Sequence, residues 1–95
     1  MSNTKLTADS KQTLKEFKKN NPDIRFFNNG VVTVCVVPEF NNSKMVQVSV
    51  SIMSEDEIKF RAKVGEYIAM SRMEQMENIT VPRTFDVYSF MDTIA

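Results

Sequence analysis

Hydrophobic and polar residues change period along the chain, from helical spacing near the N-terminus to strand spacing in the middle and back again. Residues 7–19 predict a helix that begins after the N-cap candidate Thr7 and ends before Pro22. Its apolar face is narrow and centres on Leu14 and Phe17. Because such a face buries little surface, we expect this helix to be peripheral.

Two apolar runs on either side of Asn29 and Gly30 predict a β-hairpin, because Asn-Gly suits the positive φ angles of a type I′ turn. With this pair at the centre of the turn, Phe27 faces Val32. The second run, residues 31–37, is apolar at every position but one. It therefore predicts a strand covered on both faces, which is either central in its sheet or has one face in an oligomer interface.

A third strand is predicted for residues 45–53, where apolar and smaller polar side chains alternate. The predicted core face consists of Val46, Val48, Val50 and Ile52. The other face, which we expect to be wetter, consists of Met45, Gln47, Ser49, Ser51 and Met53. Three consecutive strands of this kind favour an antiparallel meander.

A capped helix is predicted to begin at Ser54. Glu57, three residues later, completes a capping box, while Met53 and Ile58 occupy the two positions of a hydrophobic staple. The acidic side chains of the first turn lie at the positive end of the helix dipole, so we interpret them as capping groups rather than as an acid/base pair or a magnesium site. The helix is expected to continue to about Met76.

The remaining residues predict two short elements. Residues 79–81 favour a short strand that stops at Pro82. Residues 84–95 fit either period, and we favour a short helix. Helical spacing places on one face Val87, Phe90, Met91 and Ile94. Residues 1–95 are thus expected to form a single α+β domain: a three- to four-stranded antiparallel sheet with a long helix packed on one face and a peripheral N-terminal helix.

Composition argues against most catalytic chemistry. Twelve basic and twelve acidic residues give a formal net charge of zero, histidine is absent, and Cys35 is the single cysteine. Without histidine, zinc sites and Ser-His or Cys-His catalysis are not expected, and Cys35 in its apolar run is expected to be a buried core residue. We therefore predict a protein that is not an enzyme and binds no cofactor or metal. No apolar run is long enough for a membrane span, which predicts a cytoplasmic protein.

One arrangement on the predicted long helix is not explained by helix propensity. Arg61, Gly65 and Arg72 lie in a row between two apolar flanks. We interpret this row, together with the easily repacked side chains of Met73 and Met45, as a candidate binding surface. In the alternative interpretation, the glycine lets the helix cross a strand closely while the two arginines reach the sheet edge or pair with carboxylates.

Residues 44–73, KMVQVSVSIMSEDEIKFRAKVGEYIAMSRM, combine a strand, a capped helix, an F-R-x-K-x-G sequence and a late arginine. This layout resembles small accessory proteins of tailed bacteriophages. The resemblance implies a viral binding protein that inhibits a host protein, such as a component of a bacterial defence system, in the host cytoplasm. We expect a homodimer. The alternative is a nucleotide or nucleic-acid binder that uses Arg61 and Arg72, which zero net charge disfavours.

Overall fold

A computed structural model describes residues 7–39, 43–53 and 61–94. The elements follow the order α1 (Ala8–Asn20), β1 (Arg25–Asn28), β2 (Val32–Pro38), β3 (Met45–Ile52), α2 (Ala62–Glu74), β4 (Ile79–Pro82) and α3 (Val87–Ile94). The four strands form one sheet in the order β1-β2-β3-β4, and every neighbouring pair is antiparallel. The predicted α+β class and the four-stranded antiparallel sheet are confirmed.

Helix α1 begins and ends as predicted and lies at the periphery. The Thr7 hydroxyl accepts a hydrogen bond from the Ser10 amide at 3.0 Å, which satisfies one of the unpaired amides of the first turn. Leu14 is its one buried residue. Lys18 joins α1 to α2 through an ion pair with Glu66 at 2.6 Å. Burial of Lys18 opposes its charged form and is the largest single effect, but the hydrogen bonds of the ammonium group and the charge of Glu66 together outweigh burial and raise the pKa of Lys18.

The hairpin is present, but its register differs from the prediction by two residues. Phe27 lies opposite Val34 rather than Val32. The Asn29 side chain accepts hydrogen bonds from the amides of Val31 and Val32 at 3.0 and 2.8 Å, which stabilises a wider loop than a two-residue turn. A shift of two residues leaves each side chain on its predicted face, because strand side chains alternate with period two.

Strand β2 is central in the sheet and covered on both faces, as its apolar run predicts. On one face Cys35 packs with Ala69 and Met73 of α2. On the other face Val32 and Val34 belong to a core that includes helix α3. The sheet therefore lies between α2 on one side and α3 on the other, and the core is divided into two layers.

The prediction that the second face of β3 is wetter is wrong at Ser49 and Ser51, which are both buried. Helix α2 covers this face, and the Ser49 hydroxyl donates a hydrogen bond to the Ala69 carbonyl oxygen at 2.6 Å. Small hydroxyl side chains are tolerated here because the helix lies close to the strand and supplies an acceptor.

The prediction of one continuous helix from Ser54 to about Met76 is also wrong. Arg61 has an extended backbone, with φ −123° and ψ 104°, and α2 runs only over Ala62–Glu74. The predicted capping box of Ser54 and Glu57 lies outside the described residues, and so does Ile58, the predicted staple partner of Met53. No sequence signal marks the boundary at Arg61, whose side chain makes no capping hydrogen bond.

The C-terminal elements agree with the sequence. The short strand predicted for residues 79–81 is β4, and the favoured short helix is α3, whose Met91 is buried in the core on the face opposite α2. Asp86 precedes α3 and accepts hydrogen bonds from the Tyr88 and Ser89 amides at 3.1 and 3.2 Å. Hydrogen bonds from Ser89 hold the pKa of Asp86 below its ordinary value.

Candidate functional site

The predicted row on α2 does not form one exposed surface, because Gly65 is buried against the sheet. A Cβ atom at position 65 would overlap the Thr33 hydroxyl and lie 3.0 Å from the Thr33 Cβ. The Thr33 hydroxyl is buried and has no hydrogen-bond partner among the described residues. Glycine therefore allows α2 to cross β2 at close range, as the alternative interpretation of this row supposes.

The two arginines of the row occupy different places. Arg72 reaches the edge of the sheet, where its Nη1 atom donates a hydrogen bond to the Val50 carbonyl oxygen at 2.5 Å. Arg61 is half-buried and immediately precedes α2. Of the described acidic side chains, none lies within ion-pair distance of Arg72 or Arg61.

The two methionines of the candidate site also lie apart. Met73 is buried with Cys35 and Ala69 between α2 and the sheet. Met45 is half-buried at the beginning of β3, opposite Pro82 of β4. The structure thus brings Gly65 and Met73 into the core under α2, and it leaves Arg72 at one end of β3 and Met45 at the other.

An apolar surface beside Arg72 contains large exposed side chains, and we call it the edge patch. It surrounds a shallow cleft of about 500 Å³ whose apolar lining includes Val50, Met76, Ile79 and Phe90. Ile52 extends the patch along the same face of β3. The exposed fractions are 51% for Ile52, 83% for Met76 and 49% for Ile79. Large apolar side chains grouped at the surface are typical of an interaction site.

Met76 has an unusual backbone as well as an exposed side chain. Its φ angle is 62°, which places it in the left-handed region. The Met76 amide donates to Met73 O at 3.1 Å and the Glu77 amide donates to Arg72 O at 2.8 Å, the pair of bonds that defines a Schellman motif at a helix C-terminus. Glycine or asparagine usually occupies this position, because left-handed backbone brings a Cβ atom too close to the following carbonyl oxygen, at a cost of about 1–2 kcal/mol.

The edge of β3 beside the patch is only partly paired. Strand β4 pairs with Met45–Val48 and no described strand pairs with the outer edge of the following residues. The register with β2 turns the backbone groups of Val50 and Ile52 toward this edge. Arg72 covers the Val50 carbonyl oxygen. A charged side chain placed on a strand edge opposes addition of a further strand, so contact here is expected through side chains.

The part of the chain that the structure describes offers neither an accessible thiol nor a group of side chains suited to a metal ion. Cys35 is fully buried, and burial raises its thiol pKa to about 12. Residues 7–39, 43–53 and 61–94 contain no group of His, Cys, Asp or Glu side chains placed to hold a metal ion. Within the same residues no helix is long and apolar enough to cross a membrane.

Comparison with known proteins gave no match: no protein family model, no curated protein and no solved structure is significantly similar to this chain. The resemblance of residues 44–73 to phage accessory proteins therefore stays a prediction. The edge patch was missed from the sequence because the long helix was predicted to continue to about Met76, and no glycine or asparagine marks the true helix end at Glu74.

Proposed function

We propose that this protein is a non-enzymatic binding protein that contacts another protein through the edge patch, with Met76 as its central side chain. The observation that carries the proposal is the combination of backbone strain and exposure at one residue. Left-handed backbone at a non-glycine residue is costly, and such strain is concentrated at functional positions. The Met76 side chain is 83% exposed, so its packing against its own domain offsets little of this backbone strain.

The neighbouring residues support the same proposal. Ile52 and Ile79 are half exposed, and both lie on the sheet face that carries Val50. Ile79 lines the same cleft as Met76. Methionine adapts easily to the shape of a partner, while β-branched side chains on strands provide rigid apolar surface. Met76, Ile52 and Ile79 together provide an apolar surface that suits contact with an apolar side chain of another protein.

We further propose that the partner is a host protein and that its occupation inhibits it, on the resemblance of residues 44–73 to phage accessory proteins. A homodimer remains part of the proposal, and a dimer formed through the edge patch would compete with the partner for the same residues. The nucleotide-binding alternative has less support, because Arg72 already donates to a backbone carbonyl.

Site-specific crosslinking tests the proposal. A photoreactive phenylalanine derivative would be placed at Met76 and, as a matched control, at Glu74, which is exposed on the last turn of α2. We expect irradiation in a bacterial extract to give a discrete crosslinked protein from position 76 and none from position 74. Self-crosslinked dimer at position 76 would identify a second copy as the occupant.

Two results would contradict the proposed function. One is an absence of any specific crosslink at position 76. The other is equal crosslinking at positions 74 and 76, which would indicate contact by random collision.

A further inference from the structure

A second cleft lies at the N-terminal end of α3, and its lining differs in chemistry from that of the edge patch. Its volume is about 510 Å³, within the range of small-ligand sites. Its apolar floor is formed by Phe27, Val36, Val46, Phe85 and Val87. Arg25 and Arg83 lie at its margin, and Asp23 is the one acidic lining residue. We call this the arginine cleft.

The strand pairings place both arginine residues beside this cleft. Arg25 lies on β1 opposite Val36, so its side chain shares the sheet face of Phe27. Arg83 follows β4, and its amide donates to the Lys44 carbonyl oxygen at 2.8 Å, which extends the pairing with β3 by one bridge. Both ion pairs among the described residues involve Glu66, so neither guanidinium lies within ion-pair distance of a described carboxylate.

The aromatic floor is held in position by further rings. Phe27 packs edge-to-face against Tyr88 with 6.0 Å between ring centroids, and Phe85 packs the same way against Phe90 at 5.8 Å. A preorganised floor binds a flat ligand without a further cost of ordering its side chains. The nearby N-terminus of α3 is already capped by Asp86, so a bound anion would depend on the arginines.

We propose that the arginine cleft binds a small organic anion: its flat apolar part lies on Phe27 and Phe85, and its phosphate or carboxylate is held by Arg25 and Arg83. Guanidinium groups suit both anions because they donate parallel hydrogen bonds. The lysines of α1 are a poorer candidate, since Lys18 is paired with Glu66. The inference is independent of the edge patch.

Amide chemical-shift titration of the full chain with four probes tests the proposal. Adenosine monophosphate and phenylacetate carry both an anion and a flat body, adenosine lacks the anion, and inorganic phosphate lacks the body. We expect saturable shifts in the arginine cleft with at least one of the first two probes, and much weaker binding of the last two. The response to the first two distinguishes a phosphate ligand from a carboxylate ligand.

Matched variants locate the site. Removing both guanidinium groups with Arg25→Gln and Arg83→Gln should weaken binding by about tenfold or more. Lys11→Gln with Lys15→Gln removes the same charge from exposed positions on α1 and should leave binding unchanged. The proposal is overturned if neither two-part probe binds, if inorganic phosphate binds as tightly as they do, or if both pairs of variants weaken binding equally.

Discussion

Gly65 lies against Thr33 with no room for a side chain, so that this contact sets the distance between α2 and the sheet. A β-carbon at position 65 would overlap the Thr33 hydroxyl. Close approach also allows the Ser49 hydroxyl to reach the Ala69 carbonyl oxygen. The row of Arg61, Gly65 and Arg72, which was predicted as a contact surface, thus contains the residue that allows α2 to pack closely on its own sheet.

Gly65→Ala should lower the free energy of unfolding by about 1–3 kcal/mol, because overpacking outweighs the better helix propensity of alanine. The loss should be smaller in a Thr33→Ala background, where the overlapping hydroxyl is absent. Urea unfolding of the two single variants, the double variant and the parent chain gives the coupling between the two positions. Higher stability of Gly65→Ala alone would show that the contact is not tight.

Arg72→Ala should leave the Val50 carbonyl oxygen without its donor at the β3 edge. We expect a loss of about 1 kcal/mol in stability and a greater tendency to self-associate through the uncovered edge. Sedimentation velocity over a range of concentrations measures the association. Lys19→Ala, which removes one positive charge from an exposed position on α1, is the control. A sedimentation profile for Arg72→Ala that matches the control at all concentrations would contradict the edge-protecting role.

Burial of Cys35 should make stability fall at alkaline pH. The thiol pKa is raised from about 9 to about 12, so the folded chain keeps this proton while the unfolded chain loses it. The stabilisation is complete below about pH 9, and between there and about pH 12 it declines by at most about 1.4 kcal/mol per pH unit.

Urea unfolding at pH 8, 9 and 10 checks this expectation, with Cys35→Ala as the reference. Every other ionisable residue is the same in both proteins, so the difference in slope belongs to the thiol. Parallel pH profiles for the two proteins would show that Cys35 ionises as readily in the folded chain as in the unfolded one.

Much of the fold follows from local sequence patterns. The Asn-Gly loop, the run with two apolar faces and the alternation in β3 place three strands in order, and their period sets which side chains share a face. The register of the hairpin could not be predicted from these patterns, because the Asn29 side chain accepts hydrogen bonds from the Val31 and Val32 amides and widens the loop. Side-chain bonds of this kind compete with a standard turn and are not visible in spacing.

The candidate site was harder to predict, since exposure depends on tertiary packing. Ser49 and Ser51 have the polarity of a solvent face, yet their small size lets α2 cover them. Gly65 and Arg72 were recognised as unusual, but the sequence left open whether they serve a partner or the domain itself. The left-handed backbone of Met76 could not be predicted, because it lies at a helix end that the sequence does not mark.

Met76→Gly should raise the stability of the fold while it weakens binding of the partner. Glycine adopts the left-handed backbone without penalty, so the Schellman motif should become more stable by about 1 kcal/mol, or about 4–8 °C in Tm. Thermal unfolding measures this gain. Gln75→Gly is the control, because position 75 has a φ angle of −84° and gains nothing from glycine.

The most direct test of the edge patch is quantitative capture of the crosslinked partner from bacterial extract by the parent chain and by Met76→Gly. We expect the more stable variant to capture at least about tenfold less of the same protein, since a central interface side chain contributes on the order of 1–2 kcal/mol or more. Equal capture by the two chains would contradict it.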